Sequence, residues 1–290
     1  MAGQTILITG ANGQLGQEFE SLSANFPQYR FVFASRQELP IEDASAISTI
    51  FNSVKPNICI NCAAYTAVDK AESEREQAFL VNADAVGHLA NACKKVGAKL
   101  VHISTDYVFD GQSSRPWKED DPTHPINVYG ESKRAGEILA MQNNPATIII
   151  RTSWVYSSFG KNFVKTMIRL MKEREMVKVV DDQIGSPTYA ADLARVIMKV
   201  IKAENFIPGI FHYSNEGRIS WYEFAIAIKR LVRSDCKVEP IRSSEYPTPA
   251  RRPNYSLLDK TRISTVYGIH IPDWKDSLSL CIEELRKRKV

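Results

Sequence analysis

The feature that most restricts how this chain can fold is a series of short, unbroken apolar runs in its first half. They are TILIT (5–9), FVFAS (31–35), NICINC (57–62), LVHIS (100–104) and TIIIR (147–151). A strand with one wet face alternates apolar and polar residues; continuous apolar runs of this length belong to strands buried on both faces. The stretches between them, roughly 14–25, 43–54, 75–97 and 131–142, carry apolar residues at helical spacing. Buried strands alternating with helices imply a parallel sheet covered on both sides. The sequence therefore predicts an α/β fold with a doubly wound, Rossmann-type parallel sheet over residues 1–155.

Beyond residue 155 the rhythm changes. KNFVKTMIRLMKER reads as a helix with Phe163, Met167, Leu170 and Met171 on one side. VKVVDDQIGSPTYAADLARVI reads as strand, loop, short strand and helix, and GIFHYSN as a strand. SWYEFAIAIKRLV opens on Ser220 with Glu223 three residues later, a capping-box pattern. A smaller C-terminal α/β substrate domain, 156–290, is expected, with segments crossing back so that the boundary is not clean. The Pro-rich EYPTPARRPNY (245–255) is too chemically specific to be a linker.

Charge and cysteine content narrow the function classes. The formal net charge is +4, and no Lys/Arg block is interleaved with aromatics, so no nucleic-acid partner is expected. The basic RKRK at 286–289 reads as a solvated helix end. No apolar run is long enough to span a bilayer, and TILITG is too short for a signal segment; no membrane partner and a cytoplasmic location are expected. The five cysteines are odd in number and scattered in apolar settings, which suits a reducing compartment. Cys59 and Cys62 form a C-x-x-C with no second pair, so they read as packing residues.

GANGQLG places Gly10, Gly13 and Gly16 after the first strand and at the start of the first helix. Glycines there let the backbone turn tightly and approach a pyrophosphate, while the helix N-terminus offers unpaired N–H groups. An acid normally meets the adenosine ribose at the end of the second strand; here Arg36 stands in FASRQE, and a guanidinium suits a 2′-phosphate. The expected cofactor is NADPH, with NADH possible. HISTDYVFDG puts Ser104, Thr105 and Asp106 at the carboxyl end of the fourth strand, where such sheets bind ligands. In NVYGESKRAGE, Tyr129 and Lys133 lie four apart, on one helix face. Thr105, Tyr129 and Lys133 can then converge on one carbonyl oxygen.

With these motifs in place the sequence resembles the extended short-chain dehydrogenase/reductases, and more narrowly the dTDP-4-dehydrorhamnose reductase family. The resemblance runs from GANGQLG through NCAAYTAVDKAE, VNADAVGHLA, HISTDYVFDG, VYGESKRAGE, IIIRTSWVYSSFGKNFVKTM and DDQIGSPTYAADLA to YPTPARRPNYSLLD. It implies hydride transfer from NADPH to C4 of dTDP-4-dehydro-β-L-rhamnose, giving dTDP-L-rhamnose. It implies cofactor contacts from Gly13, Gln14 and Leu15 to the phosphates and from Ala64, Tyr65 and Thr66 after the third strand. Thr105, Asp106, Tyr107, Tyr129 and Trp154 would hold the sugar. Tyr129 would act as general acid, its pKa lowered by Lys133, which also reaches the nicotinamide ribose. Thr105 would support the developing alkoxide.

Two departures stand out. Leu39-Pro40-Ile41 replaces the Leu-Asp-Ile that is frequent in the family, so the aspartate's adenine-side contact is lost or replaced, with Ile41 left at the cofactor. Some members bind Mg2+ through acids at a dimer contact. Glu18 matches one such position and the other acids do not align, so magnesium stays a weak expectation and the state is monomer or homodimer. Alternatives are a nucleotide-sugar epimerase or dehydratase on the same scaffold, or a non-catalytic regulatory relative. Tyr107 occupies the place of a dehydratase's second carboxylate, which argues against water elimination; the retained Thr105, Tyr129 and Lys133 argue for catalysis.

Overall fold

The computed structural model describes residues 3–288. Strands β1 (Gln4–Thr9), β2 (Tyr29–Ala34), β3 (Ile58–Asn61), β4 (Lys99–Thr105) and β5 (Thr147–Thr152) form one parallel sheet in the order β2-β1-β3-β4-β5. A sixth strand, Gly209–His212, pairs parallel with β5 at the far edge. Both faces are dry. Ile6, Ile8, Ile58, Ile60, Val101, Ile148 and Ile150 point into one core, and Leu7, Cys59 and Leu100 into the other. This is why the strand sequences are continuous rather than alternating. The chain winds outward in both directions from β1, so a crevice opens at the carboxyl ends of β1 and β3.

Two departures from the sequence pattern have local causes. The helix expected over 75–97 is interrupted by a π-helical turn, Leu80–Asp84, between Arg75–Phe79 and Ala85–Val96. That turn aims the Asn82 amide at the backbone of Tyr65, accepting from its N–H at 2.9 Å and donating to its carbonyl at 3.0 Å. The helix expected from 131 begins at Val128, because Asn127 caps it by accepting from the Gly130 N–H at 2.8 Å. In the second half, the helix Ala190–Lys202 and the strand Gly209–His212 join the core of the main sheet.

A second core gathers helices Phe163–Glu173, Trp221–Val232 and Trp274–Lys287 around the parallel pair Met176–Val180/Lys237–Ile241. Ser220 and Glu223 form the capping box of Trp221–Val232. The Pro-rich segment returns to the main sheet's carboxyl edge, where Arg252 pairs with Asp69 at 2.9 Å and the Arg251 carbonyl accepts from Asn127 at 2.8 Å. All five cysteines are free thiols, and those of Cys59 and Cys93 lie buried in the core. No helix among the described residues is long and apolar enough to cross a membrane. Of the basic RKRK run, Lys289 lies outside the described residues; Arg286 and Lys287 form the last turn of the final helix.

Candidate active site

The glycine turn links β1 to helix α1 (Gln14–Ser23). Gly10 has φ +65, and a Cβ there would stand 2.7 Å from the Ala63 nitrogen, so only glycine fits. No side chain caps α1 and no acid occupies its first turn, which leaves its N–H groups for an anion. A cleft of about 570 Å³ opens beside it, lined by Gly10, Gly13, Arg36, Ile41, Ala64, Tyr65 and Thr66. These fit a dinucleotide: a backbone cradle, an uncapped helix end and one guanidinium.

Gln14, Leu15 and Gly16 are not among the residues that line the cleft. The Gln14 amide oxygen accepts from Asn162 at 2.9 Å, the Leu15 side chain is packed in the core, and Gly16 sits against the backbone of Ala11. The Leu15 side chain thus points away from the cleft, and the first turn of α1 offers its backbone N–H groups to a phosphate. Arg36 reaches the cleft but is already paired with Glu42 at 2.7 Å, its side chain 73% exposed. Burial raises the Glu42 carboxyl, but its backbone hydrogen bond and Arg36 outweigh this and hold it below the usual range.

The chemical cluster lies at the carboxyl end of β4. Thr105 donates to Asp106 Oδ1 at 3.0 Å and accepts from the Tyr107 N–H at 3.2 Å. A Cβ on Gly130 would meet the Tyr107 carbonyl at 2.2 Å; its absence lets the Val128–Asn143 helix close on this turn. The Tyr129 ring then meets the Tyr107 ring edge-on, with centroids 5.6 Å apart. Tyr65, from the cleft wall, packs in the same small apolar cluster as Tyr129. Burial pushes the Tyr129 phenol up to about 12; the Thr105 hydroxyl pulls it down, and Asp106 pushes it up.

Lys133 is 2% exposed, and burial brings its ammonium down to about 8, opposed by Glu137. Its Nζ donates to the Ile103 carbonyl at 2.6 Å and lies 3.4 Å from His102 Nε2. The spacing puts Tyr129 and Lys133 on one helix face as expected. The expected lowering of the phenol by Lys133 is not what this structure shows: the amine is drawn onto β4 and the phenol is raised.

Asp106 is 2% exposed, and its Oδ2 has no hydrogen-bond partner. Burial pushes its carboxyl up to about 7, opposed by the hydrogen bond from Thr105 and by the nearby Ser256 hydroxyl. A buried carboxyl this poorly satisfied at a strand end marks a functional position. Trp154 has φ +49, a left-handed backbone that costs a non-glycine residue about 1–3 kcal/mol. Its ring stacks on Trp221 at 3.7 Å. Glu18 is buried, hydrogen-bonded by Ser157 and raised by burial. No group of three metal-ligating side chains exists among the described residues, so the magnesium expectation finds no site.

Two features escape the sequence reading. Arg251 and Arg252 line a second cleft of about 500 Å³ with Asp110, Gly111 and Tyr246. Their signal was the doubled arginine within PTPARRP. His102 and Asn61 form a buried polar line beneath Lys133, and a polar residue at an inward position of an otherwise apolar strand was the only cue.

A parallel sheet reversing at β1, a glycine turn on an uncapped helix and a Tyr-x-x-x-Lys helix beside a Thr at the end of β4 define an oxidoreductase of the extended short-chain dehydrogenase/reductase type. The comparisons narrow this. The family described as RmlD substrate binding domain matches residues 4–287. The dTDP-4-dehydrorhamnose reductase of Aggregatibacter actinomycetemcomitans is 44% identical over 283 residues, covering 94% of this chain and 96% of that one. The crystal structure of a dTDP-4-dehydrorhamnose reductase from Clostridium acetobutylicum superposes with a TM-score of 0.94 at 44% identity, covering 98% of this chain and 100% of that one. That of the Bacillus anthracis reductase in complex with NADP gives 0.93 at 42% identity, covering 97% and 99%. The chain belongs to the dTDP-4-dehydrorhamnose reductase family.

Proposed function

We propose that this protein reduces the C4 carbonyl of dTDP-4-dehydro-β-L-rhamnose with NADPH, giving dTDP-L-rhamnose. The observation that carries this reading is the convergence of Tyr129, Thr105 and Asp106 at the end of β4, beside a cleft built for a dinucleotide. The relative from B. anthracis was solved with NADP, and the cleft here keeps a guanidinium at the ribose end. When bound, NADPH supplies the hydride. Gly10, Gly13 and the first turn of α1 would hold its pyrophosphate, Arg36 its 2′-phosphate, and Ala64, Tyr65 and Thr66 its flank.

Reduction needs a proton donor at the carbonyl oxygen. A phenol held at about 12 is fully protonated at neutral pH, as a general acid must be. It is still far more acidic than the alcohol that forms, so transfer to the developing alkoxide is downhill. Thr105 orients the carbonyl and Tyr107 closes one side of the pocket. Trp154, fixed by Trp221, forms a wall for the deoxysugar. Arg251 and Arg252 face the diphosphate. Lys133, once charged, fixes the cofactor's ribose and favours the phenolate after transfer. The reading extends to a cytoplasmic enzyme acting on a small-molecule substrate as a monomer or homodimer.

The test is stoichiometry. With the purified protein and dTDP-4-dehydro-β-L-rhamnose, one NADPH should be oxidised per sugar converted. Sugar conversion without net NADPH loss would favour an epimerase and overturn the reading.

A further inference from the structure

Beneath the active site, buried polar groups that the mechanism above does not use lead in a line to Lys133. Thr9, Asn61, His102 and Lys133 are each 2% exposed or less. Thr9 and Asn61 face each other across β1 and β3, and Asn61 and His102 across β3 and β4. The parallel sheet therefore sets their order.

The hydrogen bonds fix which atom carries each proton. The Asn61 Oδ1 accepts from the Thr9 hydroxyl at 2.6 Å and from the Ala63 backbone N–H at 3.2 Å. The backbone N–H can only donate, so the amide cannot be turned round. Its Nδ2 faces His102 Nδ1 at 3.1 Å and donates to it. A neutral His102 must then carry its proton on Nε2. Burial, the largest cause, holds its pKa well below the ordinary value, so it is neutral. That Nε2–H points at Lys133 Nζ, 3.4 Å away.

An ammonium has three donors and no acceptor. One Lys133 N–H is satisfied by the Ile103 carbonyl at 2.6 Å in either protonation state. Toward His102, an ammonium would set donor against donor. A neutral amine would accept the Nε2–H with its lone pair. The surrounding charges do little to oppose this. Glu137, one turn further along the helix, is held bidentately by Arg151 of β5 at 2.8 Å and takes a 2.6 Å bond from Ser104 of β4. Arg134 stands 3.6 Å from the same carboxylate. Of the remaining titratable neighbours, burial keeps Tyr129 on the helix neutral, while Asp106 beyond β4, raised to about 7, is ionised at alkaline pH.

We propose that Asn61 and His102 form a tautomer lock that favours the amine form of Lys133, so that above neutral pH binding of the dinucleotide loads one proton from solvent onto Lys133. The phosphates and ribose hydroxyls supply the negative charge and acceptors that the protein withholds. His102 is thus a positioning residue acting through Lys133. Cofactor affinity and the charge that favours the Tyr129 phenolate are coupled through one proton. The inference rests on the reading that this cleft takes NADPH.

Two measurements test it. The first is the 15N NMR signature of His102 in the cofactor-free protein: the expected result is a protonated Nε2 and an unprotonated Nδ1 across neutral pH. An Nδ1–H tautomer or an imidazolium would overturn the lock. The second is calorimetric titration with NADPH at pH 9 in buffers of different ionisation enthalpy, where the 2′-phosphate is already fully ionised. Wild type should take up close to one proton. Asn61→Asp keeps an acceptor for Thr9 and Ala63 but also accepts from His102, which moves the ring proton to Nδ1 and makes Nε2 an acceptor. His102→Gln, which adds no charge, can present an amide oxygen to Lys133. Both should bind NADPH with uptake near zero. Wild-type binding without proton uptake would overturn the coupling. Absence of NADPH binding would sink the cofactor reading instead, and the NMR tautomer would still decide the lock.

Discussion

Replacing Asp106 by Asn should stabilise the protein by an amount that grows with pH. The carboxyl is 2% exposed, one oxygen lacks a partner, and its pKa is pushed from 3.8 up to about 7. Because the folded pKa is raised, the folded state keeps a proton that the unfolded chain has already lost. Stability from this group is therefore full below 3.8 and falls as pH rises through 7. Linkage puts the penalty at about 2 kcal/mol at pH 5 and about 4 kcal/mol at pH 8. Asparagine resembles the neutral acid and carries no such penalty. Its advantage over wild type should widen by about 2.5 kcal/mol between those pH values, or roughly 4 °C in Tm for a chain this size. Every other titration is common to both proteins and cancels in the difference. The assay is thermal or urea denaturation of the pair at pH 5, 6, 7 and 8. A gap that stays constant, or narrows as pH rises, would refute the argument that this carboxyl is held neutral by burial.

Three further outcomes are expected. Arg36→Ala should raise KM for NADPH about tenfold and leave KM for NADH nearly unchanged, since a charge-assisted phosphate contact is lost and Glu42 is left to repel the 2′-phosphate; equal effects on both cofactors would remove Arg36 from that role. Trp154→Ala should raise substrate KM and lower stability by about 1 kcal/mol through loss of the Trp221 stack; Trp221→Ala should show the same stability loss, and a Trp154 variant with unaltered KM would place that ring outside the sugar pocket. Tyr129→Phe should lower kcat by about 10²- to 10⁴-fold with NADPH affinity little changed, as single-turnover and binding measurements would show.

The strands were legible because burial on both faces selects unbroken apolar runs, as in Ile58, Cys59 and Ile60. The glycine turn was legible because Gly10 occupies a conformation that other residues avoid. What the sequence hides is where a side chain goes once its face is set. Helical spacing aligns Lys133 with Tyr129, but the Ile103 carbonyl, thirty residues away along the chain, decides that Nζ turns to β4. Arg36 reads as a free guanidinium until the loop folds Glu42 against it. Arg252 meets Asp69 only because the chain returns after 183 residues. The strand Gly209–His212 looked like part of a second domain, since local pattern carries no record of which sheet a strand joins.

The most direct test of the account follows the hydride itself. Purified protein would be given dTDP-4-dehydro-β-L-rhamnose and NADPH carrying deuterium at both nicotinamide C4 positions, and the sugar product examined by proton and deuterium NMR. The account expects dTDP-L-rhamnose with one deuterium at C4 and none elsewhere, formed in step with NADPH oxidation. Recovery of an isomerised keto sugar, or of a product with only hydrogen at C4, would contradict it.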